Sequence, residues 1–302
     1  PKARGEAVKA PCPAGVTATS EQAATSRTPH PRYRMTEMAA LAVQLGWYRE
    51  ASLRPYVWAG AFCFFGSCSA SRCFRFPPEV LFYRRWPVSY QLIDMTKEPR
   101  SGQFAYFRQM LFPFAGVTAE VDITDFAARR QGRPFFLSFL YAVVRAANAV
   151  PQLRRRIRAD GSVVEYDWCP PSYTAMKPDG VYVYCTVEGD LPYESFVVLG
   201  QRRQEEVLRR GTLTEDGDAL SFFFVSSLPW LHYSQLEHPA VSADDSNPRI
   251  SWGKAVTKHG RTTLPVSLFV NHALADGLHI SQFFAGLERE LQALADSWQA
   301  EE

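Results

Sequence analysis

Residues 270–280, VNHALADGLHI, hold the side chains best suited to chemistry. An apolar stretch leads into His272, and Asp276 and Gly277 follow shortly before a helical pattern. A histidine fixed at a strand end, with a pKa of about 6.5, is suited to act as a general base at neutral pH. The same residues have a simpler structural interpretation, because Asp is a preferred helix N-cap and a strand-end histidine often only packs. Taken alone, the segment favours that structural interpretation.

Polar residues elsewhere in the chain are candidates to complete such a site. They are Ser226 in SSLPW, Ser251 in SWGK and Arg100 in EPRSG. Each also has a plain structural interpretation, as a strand-end hydroxyl, a solvent-facing strand residue or a surface charge before a helix. Ser226 lacks the G-x-S-x-G context of a hydrolase nucleophile, and the sequence has no Gly-rich phosphate loop. The weaker histidine candidates, in polar loop sequence or a first helical turn, are His232, His238, His259 and His279.

Hydrophobic periodicity predicts an α/β chain whose strands deliver these residues. Alternation with period two predicts a strand over residues 116–123, and Asp160-Gly161 predicts a two-residue hairpin turn between strands at 153–157 and 162–166. Further strands are predicted at 180–187, 221–225, 250–258 and 263–270. Helices are predicted at 196–210, at 277–298 with one apolar face, and at 135–150, which is apolar on nearly every side and so buried against a sheet or another subunit. This order predicts a two-layer α/β sandwich with a large mixed β-sheet.

The charge pattern divides the 302 residues near position 88. Overall, 46% hydrophobic and 21% charged residues are ordinary for a globular protein, and no apolar run reaches the roughly 18 residues that a membrane span needs. Residues 1–90 hold 12 basic residues, five glutamates and no aspartate, a net charge of +7; the remainder holds 21 basic and 26 acidic residues, a net charge of −5. A nucleic-acid or membrane-binding arm would use that charge, but the basic residues are not clustered. We therefore expect a poorly ordered extension over 1–88, a folded domain over 89–302, and neither nucleic acid nor membrane as a partner.

The cysteines indicate neither a metal site nor a disulfide framework. Cys63, Cys68 and Cys73 are spaced C-x4-C-x4-C, which matches no usual zinc motif, and no histidine lies near them. The first 30 residues lack the pattern of a secretory signal. The sequence therefore predicts free thiols, no metal and a cytoplasmic chain.

The motif HALADG, with His272 and Asp276, resembles the HxxxDG motif of the chloramphenicol acetyltransferase family, which also occurs in other acyltransferases. Two further segments follow in the family's order. SSLPW resembles its Ser-x-x-Pro-Trp segment at Ser226, and SWGK places Lys254 18 residues before His272, the family's spacing. IDMTKEPRSGQFAYF places Arg100 on an arginine of the family. The resemblance covers about residues 88–302.

The resemblance implies an O-acetyltransferase that moves acetyl from acetyl-CoA directly to a hydroxyl of chloramphenicol or a similar small molecule, with antibiotic resistance as a consequence. His272 would be the general base, Ser226 the oxyanion donor and Ser251 the holder of a water. Arg100 and Asp276 would pair and fix the loop that carries His272. The resemblance also implies a homotrimer with active sites between subunits, where His272 and Ser226 must share a cleft.

The acceptor is left open by the sequence. Asn271 stands where the family has a first histidine, and TLTEDGDAL, before Ser226, is shorter and more acidic than the family's aromatic segment. A non-catalytic trimeric binding protein on the same fold remains the alternative. Five residues lie in or near segments that line the acceptor pocket in the family: Tyr106, Phe107, Leu111, Tyr182 and Tyr184. An aromatic residue at such a position is as often a plain core residue.

Overall fold

The computed structural model describes residues 89–211 and 217–300. The predicted extension over 1–88, with Cys63, Cys68 and Cys73, lies outside the described residues, as does the part of TLTEDGDAL at 212–216. The helices are α1 Ser101–Phe107, α2 Thr124–Arg129, α3 Phe135–Asn148, α4 Tyr193–Arg210 and α5 Gly277–Ala300. The strands are β1 Tyr90–Ile93, β2 Phe114–Asp122, β3 Arg155–Ile157, β4 Val163–Tyr166, β5 Pro171–Met176, β6 Tyr182–Thr186, β7 Phe223–Ser227, β8 Arg249–Trp252, β9 Val256–Lys258 and β10 Arg261–Asn271. Within the described ranges, no helix combines the length and apolar character needed to cross a membrane.

A seven-stranded mixed sheet organises the domain. Its strands follow the order β2-β10-β8-β7-β5-β6, with β9 paired to β10 beside this path. Strand β7 pairs in parallel with both β5 and β8, whereas β10 pairs antiparallel with β2 and β8. A second sheet has the order β1-β4-β3. The predicted α/β fold with a large mixed sheet is confirmed.

Alternation along β10 separates a core face of the large sheet from a polar face. Leu264, Val266 and Leu268 belong to the main hydrophobic core, and because successive strand side chains point to opposite faces, Ser267 and Asn271 lie on the other side. Helix α3 packs within that core, with ten of its 14 residues buried. Its predicted burial is therefore against the sheet and α5 of its own chain. The polar face is where side chains are available for a site.

Three local predictions differ from the structure. The strand predicted over 250–258 is divided into β8 and β9, because the backbone N–H of Lys254 donates to the carbonyl of Leu231 rather than to a neighbouring strand. The backbone approaches Leu231 so closely here that a Cβ at Gly253 would lie 2.5 Å from that carbonyl oxygen. The hairpin at Asp160-Gly161 is confirmed, but its loop has three residues and only Gly161 takes a positive φ. The periodicity does not indicate α2, β1 and β5, which are short or begin at proline.

Candidate active site

Three contacts hold His272, which directly follows β10. Its backbone N–H donates to the carbonyl of Pro113 over 2.7 Å, and its ring stacks on Phe107 with the centroids 3.9 Å apart and the planes 15° from parallel. Its Nδ1 lies 3.0 Å from the carbonyl oxygen of Ala275. Since a carbonyl only accepts hydrogen bonds, Nδ1 carries the proton of the neutral ring. The lone pair of Nε2 is thereby left for a reacting group.

An ion pair between α1 and α5 fixes the turn after His272. Arg100 forms an ion pair with Asp276 through Nη1, and its Nη2 donates to the carbonyl oxygen of His272 over 3.0 Å. Asp276 also accepts the backbone N–H of Leu278 over 3.0 Å, which caps α5. The structure therefore places Asp276 both as a helix cap and as the partner of Arg100. Each role needs the carboxylate in the same place.

The electrostatics favour the charged form of Asp276. Burial by itself raises the pKa of this carboxyl, but the Arg100 guanidinium, His279 and the Leu278 N–H together hold it below its usual 3.8. His279 is buried, and its Nδ1 lies 2.8 Å from Asp276 Oδ1 and 3.1 Å from the backbone nitrogen of Asp276. His279, one of the weaker histidine candidates in the sequence, stabilises this turn. We call Arg100, Phe107, His272 and Asp276 the histidine half-site.

A row of hydroxyl side chains crosses the polar face of the sheet. Ser226 on β7 is in register with Ser251 on β8, Ser251 with Ser267 on β10, and Ser267 with Thr118 on β2. The Ser267 and Thr118 hydroxyls lie 2.7 Å apart. Ser251 and Ser267 are buried and Ser226 is half-buried. Neighbouring strands lie about 4.8 Å apart, so the predicted residues Ser226 and Ser251 are adjacent.

Tyrosines of β6 extend this row towards the sheet edge. Tyr184 pairs with Thr174 on β5, and Tyr173 pairs with Val225, the residue before Ser226. Tyr184 and Ser226 therefore lie on the same face of the sheet. The ring of Tyr182 lies 5.9 Å from that of Tyr184. We call Ser226, Ser251, Tyr182 and Tyr184 the serine half-site.

The loop over residues 228–248, the covering loop, lies against the hydroxyl row. His238 Nε2 is 3.1 Å from Ser251 Oγ, and the Tyr233 hydroxyl is 3.4 Å from both Ser251 Oγ and Ser267 Oγ. Asn271 holds the loop, since its amide donates to the carbonyls of residues 243 and 245 over 2.9 and 3.0 Å. His238 is a weaker candidate in the sequence because it lies in polar loop sequence. No local pattern indicates its contact with Ser251, which depends on the path of the loop.

The five predicted pocket residues divide between the two half-sites. Phe107 supports the His272 ring, Tyr106 packs edge-to-face on Phe107 at 5.3 Å, and Leu111 is almost fully exposed nearby in the chain. Tyr182 and Tyr184 belong instead to the serine half-site. An open cavity of about 410 Å³ lies beside Thr118, Glu120, His232 and Tyr233, and neither His272 nor Ser226 lines it.

One chain does not bring His272 and Ser226 together. His272 follows Ser267 by five residues along β10, which is roughly 16 Å, and Ser226 lies two strand spacings from Ser267 across the sheet, which is roughly 10 Å. The two α-carbons are therefore separated by roughly 20 Å. Within the described residues, no hydrogen bond joins His272 to Ser226.

Comparison with known proteins decides the family. A model of the family described as "Chloramphenicol acetyltransferase" matches residues 88–288, about two thirds of the chain. The chain belongs to the chloramphenicol acetyltransferase family. This confirms the resemblance predicted from HALADG and its companion segments.

Individual members of the chloramphenicol acetyltransferase family match over nearly their whole length. The enzyme of Klebsiella sp is 24% identical over 70% of this chain and 96% of its own, and that of Streptomyces acrimycini is 27% identical over 67% and 92%. A solved structure named chloramphenicol acetyltransferase is 29% identical, covers 67% of this chain and all of its own, and superposes with a TM-score of 0.58. This chain is accordingly an acyltransferase of that family.

Proposed function

We propose that this chain transfers an acetyl group from acetyl-CoA to a hydroxyl of chloramphenicol or a similar hydroxylated small molecule, with His272 as general base. The observation that carries the proposal is the hydrogen bond between His272 Nδ1 and the Ala275 carbonyl, which leaves Nε2 free to take a proton. The stacked ring of Phe107 and the Arg100 bond to the His272 carbonyl keep that nitrogen in one place. Family membership and the names of the relatives support the acetyl donor and the acceptor.

The transfer is direct and needs no covalent enzyme intermediate. As the acceptor hydroxyl oxygen attacks the thioester carbonyl carbon, Nε2 of His272 removes its proton, which contributes about 10²- to 10⁴-fold in rate. The carbonyl oxygen becomes an oxyanion, and the C–S bond then breaks to restore the carbonyl. The departing thiolate takes the proton back from His272, so acetyl ester and CoA thiol leave and the ring is neutral again.

Ser226 is proposed as the donor to the oxyanion. Its hydroxyl is half-buried at the polar face, and a preorganised donor at this charge is worth about 3–4 kcal/mol. Ser251, adjacent in register, supports it through a water, while His238 and Tyr233 fix the Ser251 hydroxyl from the covering loop. Arg100 and Asp276 hold the turn that follows His272 and do not touch the reacting atoms.

The active site is proposed to form between copies of the chain, in a homotrimer. The roughly 20 Å between His272 and Ser226 within one chain supports this, because a base and an oxyanion donor must both reach one carbonyl group. Exposed apolar side chains beside the histidine half-site support it as well: Leu111, Phe112 and Tyr106 are 97%, 62% and 61% exposed. Surfaces of this kind are typically covered by a partner.

Mixed oligomers test this arrangement. His272→Ala and Ser226→Ala are each expected to lose nearly all CoA-thiol release with chloramphenicol while keeping their fold by circular dichroism. When the two variants are co-expressed in equal amounts, each site draws its histidine and its serine from different copies. About one quarter of sites then regain both residues, so activity returns to about one quarter of the wild-type value.

The controls separate the parts of this proposal. Separately purified variants mixed without subunit exchange should stay inactive. No recovery in co-expressed oligomers shown to contain both variants would contradict the shared site. Full activity of His272→Ala alone would contradict the general base, and a wild-type chain that binds chloramphenicol without thiol release would contradict the transfer itself.

A further inference from the structure

His238 is a side chain of the covering loop that contacts the serine half-site. Its Nε2 contacts Ser251 Oγ at 3.1 Å, and Ser251 is the register partner of Ser226. The imidazole is half-buried and its ring lies 6.3 Å from that of Phe269. Its Nδ1 makes no hydrogen bond to any described residue, although the ring is held. A nitrogen of that kind is available to a bound molecule.

The hydroxyl chain behind His238 favours the tautomer with the proton on Nδ1. Ser267 donates to the Tyr233 hydroxyl, and Tyr233 donates to Ser251 Oγ, both over 3.4 Å. With Tyr233 as its donor, the Ser251 hydroxyl keeps its own proton to give, and His238 Nε2 lies within reach as the acceptor at 3.1 Å. A neutral imidazole that accepts at Nε2 carries its proton on Nδ1. Because the two ring nitrogens point in different directions, this N–H group points away from Ser251 and is open to a bound molecule.

The surroundings of His238 keep the ring neutral and make it a poor base. Burial, together with the nearby Arg249 guanidinium, lowers the pKa of His238 from 6.5 to about 4. At neutral pH such a ring offers a hydrogen bond without charge. It is thus suited to recognising an oxygen atom rather than removing a proton.

We propose that His238 is a specificity-determining residue that donates its Nδ1 proton to an oxygen of the acceptor, such as an amide carbonyl or nitro oxygen. This inference rests on the proposed acetyl transfer at Ser226, because it concerns the molecule bound there. It predicts that the preferred alcohols carry a hydrogen-bond-accepting oxygen a few ångströms from the hydroxyl that is acetylated. A simple alkanol lacks that oxygen and should be a poor substrate.

Two amide substitutions separate recognition from mere support of the loop. In His238→Asn the amide nitrogen takes the place of Nδ1, whereas in His238→Gln it takes the place of Nε2 and keeps only the contact with Ser251. Michaelis constants for chloramphenicol and for acetyl-CoA are measured by thiol release for wild type, both amide variants and His238→Leu. Thermal unfolding of each variant provides a readout of the loop's structural role.

The expected result is a rise of about tenfold in KM for chloramphenicol in His238→Gln and His238→Leu, with KM for acetyl-CoA unchanged. His238→Asn should recover most of that loss. The opposite order, with Gln restoring both KM and thermal stability and Asn failing, would show a structural role and overturn the inference while leaving the proposed function intact. A wild-type chain that releases no thiol with chloramphenicol or with other alcohols would overturn both.

Discussion

Removing the negative charge of Asp276 is expected to destabilise the domain and to loosen His272. Asp276→Asn keeps the shape of the side chain and its ability to cap α5, because Asn is as good a cap as Asp. What it removes is the charge beside Arg100, whose side chain is only 14% exposed. The variant therefore isolates the ion pair from the helix cap.

The expected loss of stability in Asp276→Asn follows from how far the ion pair is exposed to solvent. Removing one partner of a fully buried ion pair costs about 3–5 kcal/mol, but the Asp276 side chain is 34% exposed and solvent screens part of the effect. We expect a loss of about 2 kcal/mol in the free energy of unfolding. Arg100 also holds the His272 carbonyl, so the base becomes misplaced and kcat is expected to fall by about 10- to 100-fold.

Urea unfolding at fixed protein concentration and thiol release at saturating substrate measure the two effects. Asp296→Asn is the matched control, since Asp296 pairs with Arg129 over 2.7 Å at an exposed position of α5. This control should cost less than about 1 kcal/mol and leave kcat unchanged. If Asp276→Asn behaved like Asp296→Asn in both assays, the argument that the pair positions His272 would be refuted.

The ion pair of Arg100 and Asp276 also makes the free energy of unfolding depend on pH in the acid range. The folded state holds the pKa of Asp276 below its unfolded value of 3.8, so its contribution to stability is present above about pH 4. The contribution is lost as the pH falls below that value, because the unfolded state then binds the proton more readily. Asp276→Asn removes this part of the acid sensitivity.

Two further predictions concern the covering loop and the sheet beneath it. Burial and Arg249 hold the pKa of His238 at about 4 in the folded state, against 6.5 in the unfolded state. Between these two pH values only the unfolded state binds the proton. The free energy of unfolding should therefore drop as the pH falls from 6.5 to about 4. Because the ring is partly exposed and solvent screens its charge, we expect this drop to be about 1–2 kcal/mol. Urea unfolding at pH 7 and pH 4.5 measures it, and the drop between these pH values should be smaller in His238→Gln than in wild type. Gly253→Ala would place a Cβ 2.5 Å from the Leu231 carbonyl oxygen and should lower the free energy of unfolding by about 2–3 kcal/mol in the same assay. Gly102→Ala is the control, since a Cβ there meets nothing within 4 Å and should not lower the free energy of unfolding. Equal stabilities of the two alanine variants would contradict the close approach at Gly253.

Local patterns in the sequence predicted the elements whose residues repeat with a clear period. The apolar face of α5, with Ile280, Phe283 and Leu287, is buried as its spacing predicts, and β10 alternates as a strand with one core face. HALADG and its companion segments also identified the family. These conclusions depend on residues close together in the chain, or on segments in a familiar order.

Contacts between remote residues were decided by the tertiary structure alone. The stacking of Phe107 on His272 and the contact of His238 with Ser251 are examples. The sequence carries no period that relates such pairs, because their contact depends on strand order, register and the path of a long loop. The same register places His272 and Ser226 at separate ends of the polar face, and this arrangement is why the proposed chemistry needs a second copy of the chain.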